Sequence, residues 1–440
     1  MTEPADRVSL RIAEFAITNF RTFRERTVIP LSTEQQADPL VVFHGGNGAG
    51  KSNALAALDL FFRAITHWMG WRSGTSKDYP PELRCGWEQR QEPQGFIPNR
   101  RDWPPGSTEI MYIEVRFSDE ALNTFRVQLQ PAGTDLFLTA SFSKKSGKVL
   151  ADTTEQDYVN PTPDECKSLR NLLETPRGAR SRALFILDAH RRGSWGSDEQ
   201  YDRESLETLS PLIAEKLFRL RVSLEPGERQ RWKFFQRLLG QFSTLKEKEV
   251  SIDIVKRGSI PELFFEDPGR QILRLVELSS GEQQLVTLCA AIATSQASLV
   301  AIAEPEISLS EKNQQTLRSI LEEQVGSKLV DQIILESHVY TFDGPEVIRF
   351  RREGSVTRVS REPRPAEEAD LTARAQSAGA QKQYVTPEGF THLPENMRRD
   401  LGLETGGRIW FLKEDKRWSA WKTEELDTLF GFSGKQPKES

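Results

Sequence analysis

The residues of this chain that are best suited to chemistry lie in a glycine-rich stretch near its N-terminus. Residues 45–52 read GGNGAGKS, which matches the pattern G-x-x-x-x-G-K-[ST]. Glycines let backbone N–H groups turn inward around phosphate oxygens, and a helix that follows adds its positive N-terminal end. The ammonium group of Lys51 can neutralise the outer phosphates, and the hydroxyl of Ser52 can bind Mg²⁺. The stretch therefore predicts a site for a nucleoside triphosphate and Mg²⁺.

The segments around this stretch support that prediction. The apolar run PLVVF before it predicts a buried strand, and SNALAALDLFFRAI after it predicts an amphipathic helix. The alternative, a glycine-rich turn with an accidental Lys-Ser pair, does not require this strand–loop–helix order. The residues predicted to contact the nucleotide here are Gly45, Gly46, Asn47, Gly48, Ala49, Gly50, Lys51, Ser52 and Asn53.

Three later segments carry further groups that could act on a phosphate. LSSGEQQ predicts a helix start at which Ser280 and Gly281 offer a hydroxyl and N–H groups to an anion. LVAIAEPE predicts a buried strand that ends next to Glu304, and QIILESH predicts another that ends next to His338. Each segment alone has an ordinary explanation, as a helix cap or as a buried core histidine. Their order downstream of the phosphate loop favours the functional explanation.

Together these segments resemble the ABC-type ATPase heads of the RecF/SMC/OLD group, over residues 8 to about 350. ITNFRTF is similar to the opening of such heads, GGNGAGKSN to the Walker A motif, and LSSGEQQ to the signature motif. AEPEISLS is similar to the Walker B motif with its D-loop, and ESH to the switch histidine. The resemblance is close at both ends and loose in the middle. It implies an α/β fold, an ABC-type P-loop NTPase head with β-meander and helical insertions.

The resemblance also implies a site shared between two copies of the chain, with ATP and Mg²⁺ as cofactors. In such heads each ATP is held by the Walker A motif of one copy and the signature of the other, here Ser280 and Gly281. Glu304 would be the base or water-positioning residue, and His338 would contact the γ-phosphate side. Arg21 is expected on the ATP side or at the interface, with a solvated charge as the alternative. Hydrolysis would then depend on dimerisation.

Two positions depart from the pattern of these heads. Ala303 stands where they have an aspartate that holds Mg²⁺ through a water and orients Ser52. We therefore expect a looser metal ion and chemistry slower by about tenfold to a hundredfold, and an aspartate restored at this position is expected to raise the rate. A structural nucleotide sensor is the alternative to a slow ATPase. The D-loop reads SLSEK where such heads often have Ser-Leu-His-Pro, and His44 beside the loop is expected to pack rather than bind nucleotide.

The chain is expected to form a head, a linker and a small C-terminal module. The head spans residues 1–350 and carries an insertion at about 66–250, which combines an irregular region, a β-meander and charged helices. Residues 351–383 are rich in charge, proline and small residues, which is typical of a linker. Residues 384–432 form the C-terminal module.

The C-terminal module resembles the AbrB-like swapped-hairpin domain, a small β-rich fold. The matching positions are Leu393, Pro394, Arg398, Leu401, Gly402 and Gly406, whereas Gly407 stands where aspartate is usual. The resemblance implies an intertwined dimer that binds DNA through Arg398, Arg399 and Arg408. A dimerisation module without DNA binding is the alternative, since acidic residues are interspersed. The strands around Trp410 and Trp418 are too small to bury a core alone.

The composition indicates a cytoplasmic protein without a membrane span. The chain has 440 residues, a length that is sufficient for a sizeable core. Its content of 37% hydrophobic and 28% charged residues is typical of a globular protein with a polar surface. The net charge of −5 argues against a generally basic nucleic-acid coat. No apolar run reaches the ~18 residues of a membrane helix, and the acidic, polar N-terminus is unlike a secretory signal. Cys85, Cys166 and Cys289 lack the spacing of a metal site or a disulfide framework.

The leading hypothesis is a cytoplasmic ATPase that dimerises on ATP and serves as sensor or scaffold for an effector, a nuclease or toxin, in another chain. It follows from a resemblance to ATPases of bacterial anti-phage systems and from the lack of an H-N-H nuclease pattern in the sequence. One alternative is a RecF-like ATPase of DNA repair or chromosome maintenance. Another is a nucleotide-sensing transcriptional regulator that binds DNA through the C-terminal module. The expected partners are further copies of the chain, bound through head and C-terminal module, an effector protein and DNA.

Overall fold

The computed structural model divides the chain into two compact units, Met1–Arg364 and Pro365–Ser440. The first unit contains every residue predicted to bind nucleotide. The structure describes residues 10–33, 36–70, 83–86, 100–104, 107–118, 124–133, 135–143, 149–162, 166, 169, 173, 183–188, 193–194, 211–255, 260–267, 269, 271–295, 297–327, 329–344, 346–363, 395–400, 403, 410–414 and 417–421.

The described part of the first unit contains both strands and helices, which alternate one by one from Ser280 to Ser337. Its strands are β1 (Ile12–Thr18), β2 (Thr27–Pro30), β3 (Ser32–Thr33), β4 (Gln36–Ala37), β5 (Leu40–Gly45), β6 (Leu83–Gly86), β7 (Met111–Phe117), β8 (Thr124–Ala132), β9 (Asp135–Ser143), β10 (Tyr158–Val159), β11 (Leu184–Leu187), β12 (Gly193–Ser194), β13 (Glu249–Asp253), β14 (Glu262–Glu266), β15 (Ile272–Arg274), β16 (Leu299–Ala303), β17 (Gln332–Ser337), β18 (Glu346–Glu353) and β19 (Val356–Pro363). Its helices are α1 (Lys51–Gly70), α2 (Pro211–Val222), α3 (Pro226–Leu239), α4 (Ser280–Thr294) and α5 (Glu311–Gly326), with short 3₁₀ turns at Arg100–Asp102, Leu150–Asp152, Glu155–Asp157, Leu275–Glu277 and Tyr340–Phe342.

A seven-stranded sheet carries the phosphate loop. Its spatial order is β12-β11-β16-β17-β5-β18-β19. The inner strands run parallel, and the two edge strands pair antiparallel with their neighbours. Because both faces of this sheet are covered, β5, β16 and β17 are continuous apolar runs rather than alternating ones. Parallel strands end at one common edge, which is where open α/β sheets bind ligands.

A second sheet is antiparallel and joins the N-terminal strands to the β-meander. Its order is β10-β9-β8-β7-β1-β2, with β6 paired to β9. The meander β7–β9 expected from the sequence is present, and β7 pairs directly with β1. The strands of the expected insertion therefore continue the sheet begun by the N-terminal strands instead of forming a separate layer.

Helix α1 lies between the two sheets. One hydrophobic cluster combines Leu58, Phe61 and Phe62 of the helix with residues of both sheets, such as Phe15 and Phe43. Burial on nearly every side explains why α1 is apolar around most of its circumference. This packing fixes the position of α1, and with it the residues at the start of α1 that follow the phosphate loop.

The opposite face of the parallel sheet packs against α4 and α5 and a helical lobe. The lobe consists of α2, α3 and the small antiparallel sheet β13-β14-β15. Phe235 of α3, Leu288 of α4 and Leu335 of β17 belong to one hydrophobic cluster, which joins the lobe to the sheet. The charged helices expected within the insertion correspond to α2 and α3.

The first part of the expected linker is folded. Residues 351–363 lie in β18 and β19, which form an antiparallel hairpin, and β18 pairs in parallel with β5. The prediction of a linker was wrong for these residues, because an edge hairpin with one exposed face tolerates the arginines and glutamates that suggested a linker. The remainder of that segment, residues 364–383, lies outside the described residues.

The described part of the second unit contains a short helix and a hairpin. The helix is α6 (Glu395–Asp400), and the strands β20 (Trp410–Glu414) and β21 (Arg417–Trp421) pair antiparallel. The expected helix and strand pair are thus present, and Arg398 and Arg399 lie on the helix. Arg408 and the Leu-Pro and Gly positions of the AbrB-like pattern lie outside the described residues. The swapped-hairpin dimer stays a prediction.

The described residues bear on two features that the composition raised, membrane-spanning helices and cysteines. No helix there is both long and apolar enough to cross a bilayer. Cys166 and Cys289 are buried thiols, neither of them in a disulfide, and Cys85 lies in β6.

Candidate nucleotide site

The phosphate loop connects β5 to α1 as the sequence predicts. Strand β5 ends at Gly45, and α1 begins at Lys51. Gly50 has a φ of +109°, and a Cβ at this position would lie 2.5 Å from the Thr357 side-chain oxygen. Only glycine combines this backbone conformation with so close a neighbour. The glycine pattern therefore has a local structural cause in addition to room for phosphate.

The hairpin of β18 and β19 supports the loop from one side. A Cβ added to Gly45 would lie 2.5 Å from the carbonyl oxygen of Phe350. Arg352 Nη1 donates a hydrogen bond of 3.3 Å to the carbonyl oxygen of Gly48. The Thr357 hydroxyl donates to the Thr22 hydroxyl over 2.8 Å. The hairpin that was expected to be a linker thus forms one wall of the candidate site.

Lys51 is held inside the loop and is only 3% exposed. Its Nζ donates to the carbonyl oxygens of Gly45 and Gly46 over 2.9 and 3.1 Å. The same atom lies 3.3 Å from His338 Nε2. Burial lowers the pKa of Lys51, and nearby carboxylates, that of Glu336 first, oppose this shift. The ammonium group is therefore aimed at the loop by backbone acceptors that a phosphate could replace.

Glu336 is the carboxylate closest to the start of α1. Ser52 Oγ donates to Glu336 Oε1 over 2.6 Å, and Lys51 Nζ lies 3.9 Å from the same oxygen. Burial raises the pKa of Glu336, and the hydrogen bond from Ser52 and the charge of Lys51 oppose this shift. Sequence reasoning did not single out Glu336. A carboxylate at the end of a buried parallel strand was the signal that could have identified it.

Glu304 and His338 meet at the same edge of the sheet. Glu304 follows β16 with a φ of +46°, and its N–H donates to the carbonyl oxygen of Glu336 over 2.7 Å. Its Oε1 lies 3.4 Å from His338 Nε2, and its side chain is 29% exposed. A non-glycine residue in this conformation is uncommon and is held by its surroundings. The structure brings both predicted catalytic residues next to Lys51.

Glu306 holds His338 through the backbone. The His338 N–H donates to Glu306 Oε1 over 2.7 Å. Glu306 Oε2 is buried without a hydrogen-bond partner among the described residues. Burial raises the pKa of Glu306, and the hydrogen bond from His338 is the first effect that opposes the shift. Glu306 was also not singled out from the sequence, although it lies two residues after Glu304.

Arg21 and Asn53 are joined beside the phosphate loop. Arg21 Nη1 donates to Asn53 Oδ1 over 3.3 Å, and Arg21 Nη2 donates to Asp102 Oδ1 over 2.8 Å. Asn53 Nδ2 donates to the Thr22 hydroxyl over 3.0 Å. With 38% of its side chain exposed, Arg21 is anchored at one end and accessible to solvent. Its position suits either a nucleotide or an interface contact.

His44 packs away from the phosphate loop. Its ring stacks on Tyr340 with 5.0 Å between the ring centroids, and its Nδ1 lies 3.5 Å from Asp343 Oδ1. This placement agrees with the expectation that His44 packs rather than binds nucleotide.

Ser280 and Gly281 begin α4. Ser279 caps the helix, and its backbone N–H donates to the Glu282 carboxylate over 3.0 Å. A Cβ on Gly281 would lie 2.7 Å from the carbonyl oxygen of Ser308, so this position is packed beneath the loop after β16. Ser280 is exposed. Within the part of the chain that the structure describes, no hydrogen bond joins Ser280 or Gly281 to the phosphate loop.

The residues present fit a nucleotide with Mg²⁺. Lys51, the loop N–H groups and the Ser52 hydroxyl match phosphate and cation, and Glu336 Oε2 is buried without a hydrogen-bond partner among the described residues. Within the described ranges, no group of three or more His, Cys, Asp or Glu side chains could hold a metal ion by itself. Mg²⁺ is commonly held by one or two carboxylates together with substrate phosphates. The donor set thus suits Mg²⁺ that arrives with its nucleotide.

Comparison with known proteins gives one matching family model and several partly similar solved structures. A family model described as "AAA domain, putative AbiEii toxin, Type IV TA system" matches residues 40–340, which is more than half of the chain. No curated protein matches.

Among solved structures, the chain is similar to heads of SMC proteins. An Smc head bound to the C-winged helix domain of ScpA is 15% identical, with 82% of this chain and 99% of that chain covered and a TM-score of 0.47. The SMC head domain from Thermotoga maritima is 16% identical, with 81% and 100% covered and a TM-score of 0.42. An Smc head with an extended coiled coil, bound to the C-terminal domain of ScpA derived from Pyrococcus furiosus, is 13% identical, with 84% and 100% covered and a TM-score of 0.46.

Proposed function

Because the chain belongs to the family of AAA domains whose model it matches, we propose that it binds ATP with Mg²⁺ and hydrolyses it slowly to ADP and phosphate. The observation that carries this proposal is the meeting of Lys51, Ser52, Glu304 and His338 at one edge of the parallel sheet. These groups come from three different strand ends, and a packing role alone does not require them to converge.

Each residue has a role that its geometry supports. The loop N–H groups and Lys51 bind the β- and γ-phosphates, with Lys51 exchanging its bonds to the carbonyls of Gly45 and Gly46 for phosphate oxygens. Glu304, the most exposed carboxylate of the site, orders the attacking water and accepts its proton. His338 lies between Lys51 and Glu304 and contacts the γ-phosphate side. Mg²⁺ neutralises charge on the phosphates when it is bound.

A calorimetric titration of the full chain with ATP and Mg²⁺ tests this function. Lys51→Ala removes the buried ammonium group and is expected to weaken ATP binding by roughly a hundredfold or more, because several charge-assisted contacts are lost together. Lys233→Ala, which removes an exposed lysine of α3, is the matched control and is expected to bind as the wild type does. Equal ATP affinity in all three proteins would refute the site.

We also propose that ATP with Mg²⁺ joins two copies of the chain. Ser280 is exposed at the start of α4, where a helix N-terminus and a hydroxyl can meet the phosphate of a second copy. Light scattering of a chain that ends near Ala380, and so lacks most of the second unit, measures this association with and without ATP and Mg²⁺, and the mass is expected to double with nucleotide. An unchanged mass at saturating ATP would contradict it.

For the biological role we propose a sensor or scaffold for an effector, a nuclease or toxin, in bacterial anti-phage defence. The family description names a toxin and a type IV toxin–antitoxin system, and the motif resemblance to anti-phage ATPases points in the same direction. The test is phage plating on a bacterial host that carries this gene with its neighbours. Protection that disappears with Lys51→Ala would support the role, and protection that is absent or independent of Lys51 would contradict it.

The two alternative roles predict different results. A RecF-like repair ATPase would bind DNA ends or gaps through the head. A nucleotide-sensing regulator would protect its own operator in a footprint that depends on residues 384–432. Neither alternative is favoured by an observation in the described residues, and both stay hypotheses.

A further inference from the structure

Ala303 and Glu336 are direct neighbours in the parallel sheet. The register of β16 and β17 pairs Ala303 with Glu336, and two residues earlier it pairs Ala301 with Ile334. Ala301, Ala303 and Ile334 all belong to the cluster that surrounds α1, so this row faces that helix. Neighbouring strands lie about 4.8 Å apart. A carboxylate on β17 at this level is therefore one strand away from the methyl group of Ala303.

The surroundings of Glu336 suit a carboxylate that binds a metal ion. The residue is 2% exposed, and its Oε1 accepts a hydrogen bond of 2.6 Å from the Ser52 hydroxyl. Donation in this direction leaves the lone pairs of the Ser52 oxygen free to bind a metal ion. Oε2 is buried without a hydrogen-bond partner among the described residues. A buried carboxylate oxygen without a partner is costly, and a bound cation removes that cost.

We propose that Glu336 supplies from β17 the carboxylate that β16 lacks at Ala303, and that it holds the Mg²⁺ of the bound nucleotide together with Ser52. This inference rests on the proposed ATP binding. It assigns the metal-binding carboxylate to a different strand from the one that carries Glu304. The loss of rate expected from Ala303 alone is then smaller, because a carboxylate charge near Ser52 is retained.

The register also changes the expected effect of an aspartate at position 303. Beside Glu336, a second carboxylate would face the same space, and like charges at this distance disfavour each other's ionised form. Ala303→Asp alone is therefore expected to bring no gain in Mg²⁺-dependent affinity. In a chain that lacks Glu336, the same change is expected to restore what was lost.

The experiment measures binding of the ATP analogue AMP-PNP to the full chain with Mg²⁺ and with EDTA. The ratio of the two affinities is the gain due to the metal ion. Glu336→Gln keeps the shape of the side chain and removes its charge, so this gain, taken for each variant as its own ratio, is expected to fall by about tenfold to a hundredfold. Glu336→Ala is expected to lose as much, and Ala303→Asp combined with Glu336→Ala is expected to recover most of it.

A second measurement follows the metal ion directly. Electron paramagnetic resonance of Mn²⁺ with AMP-PNP is expected to show weaker metal binding for Glu336→Gln and near wild-type binding for the double variant. Asp59→Asn, a change of a buried carboxylate two turns farther along α1, is the matched control and should leave both measurements unchanged. Thermal unfolding of each variant without nucleotide shows whether a loss of Mg²⁺-dependent affinity comes from misfolding. If it does, the affinity of the variant that combines Ala303→Asp with Glu336→Ala tests the proposal.

The outcomes separate this inference from the proposed function. A wild-type chain that does not bind AMP-PNP under either condition overturns the proposed function and the inference with it. A wild-type chain whose affinity gains from Mg²⁺, together with Glu336→Gln that keeps the whole gain, overturns the inference alone. A double variant no better than Glu336→Ala also overturns it, because position 303 and Glu336 would then not serve the same metal ion.

Discussion

Three glutamates of the site differ in their surroundings, and this difference separates their roles. Glu304 is partly exposed beside His338 and Glu336 is buried, whereas Glu306 is partly buried and its Oε2 atom is enclosed. Burial raises the pKa of Glu306 and the pKa of Glu336. A hydrogen bond from the His338 backbone opposes the shift of Glu306, and a hydrogen bond from the Ser52 hydroxyl opposes that of Glu336. A carboxylate that meets water suits proton transfer, and one that is enclosed suits holding its neighbours in place.

Glu304→Gln is expected to lower the turnover of ATP by about 10²–10⁴-fold while ATP binding is retained. Glutamine keeps the size of the side chain and its contact distance to His338 but cannot accept a proton. Phosphate release under saturating ATP measures the rate, and calorimetry measures binding. Glu311→Gln, an exposed glutamate in the first turn of α5, is the control. Turnover that survives Glu304→Gln would show that another group activates the water.

At the scale of elements, the phosphate loop depends on a hairpin distant in sequence. Gly50 adopts a φ of +109° and lies against Thr357 of β19, and Gly45 lies against Phe350 of β18. The N–H of Thr357 donates to the carbonyl oxygen of Thr22, which ties the hairpin to the N-terminal strands. The loop is thus shaped both by its own glycines and by the parallel pairing of β18 with β5.

Gly50→Ala is expected to destabilise the fold by about 1–3 kcal/mol and to abolish tight ATP binding. The added methyl group both strains the backbone and enters the space of the Thr357 side chain. Chemical denaturation and calorimetry measure the two effects. Gly227→Ala, in the first turn of α3 with no atom near the new methyl group, is the matched control and should bind ATP normally. A stable Gly50→Ala protein with normal affinity would contradict the strain argument.

At the scale of the whole molecule, the groups predicted to bind phosphate lie at two separate places in one chain. The phosphate loop follows β5, whereas Ser280 begins α4 on the other face of the sheet. Within the described residues no hydrogen bond connects them, which agrees with the proposal that Ser280 meets the ATP of a second copy. The second unit, Pro365–Ser440, is a further candidate for holding copies together.

Ser280→Arg is expected to block ATP-dependent association while each chain still binds ATP. The long cationic side chain would occupy the exposed start of α4 where the phosphates of the other copy are expected. Light scattering of chains that end near Ala380, in which the C-terminal module cannot hold copies together, reports the ATP-dependent mass, and calorimetry reports ATP binding. Ser319→Arg, on an exposed position of α5, is the matched control and should associate normally. Association of the Ser280→Arg protein at wild-type strength would place the interface elsewhere.

A chain ending near Ala380 tests the second unit. If the C-terminal module is an intertwined dimer, the full chain should be dimeric without nucleotide and the truncated chain monomeric. Light scattering in the absence of ATP gives both masses. Equal masses of full and truncated chains would contradict dimerisation through this module. Binding of DNA by the full chain but not by the truncated chain would favour the regulator hypothesis.

The sequence by itself determined the parts of the site that are local. Residues 45–52 predict the loop because glycines, Lys51 and Ser52 act on a phosphate through backbone that is contiguous in the chain. The ends of β16 and β17 were also predicted, because buried parallel strands are continuous apolar runs. The position of Glu304 just beyond β16 followed from the same pattern.

Only the tertiary structure decided which residues stand beside one another. Ala303 and Glu336 are 33 positions apart in the chain, and strand register, which depends on packing across the whole sheet, makes them neighbours. The hairpin β18–β19 looked like a linker because its exposed face is charged, yet its pairing with β5 places it against the phosphate loop. Side-chain periodicity in the sequence indicates which residues are buried, whereas contact between strands distant in the chain depends on the spatial order of the strands in the sheet. For that reason, the sequence predicted a nucleotide site without an aspartate, and the fold identified the carboxylate beside Ser52.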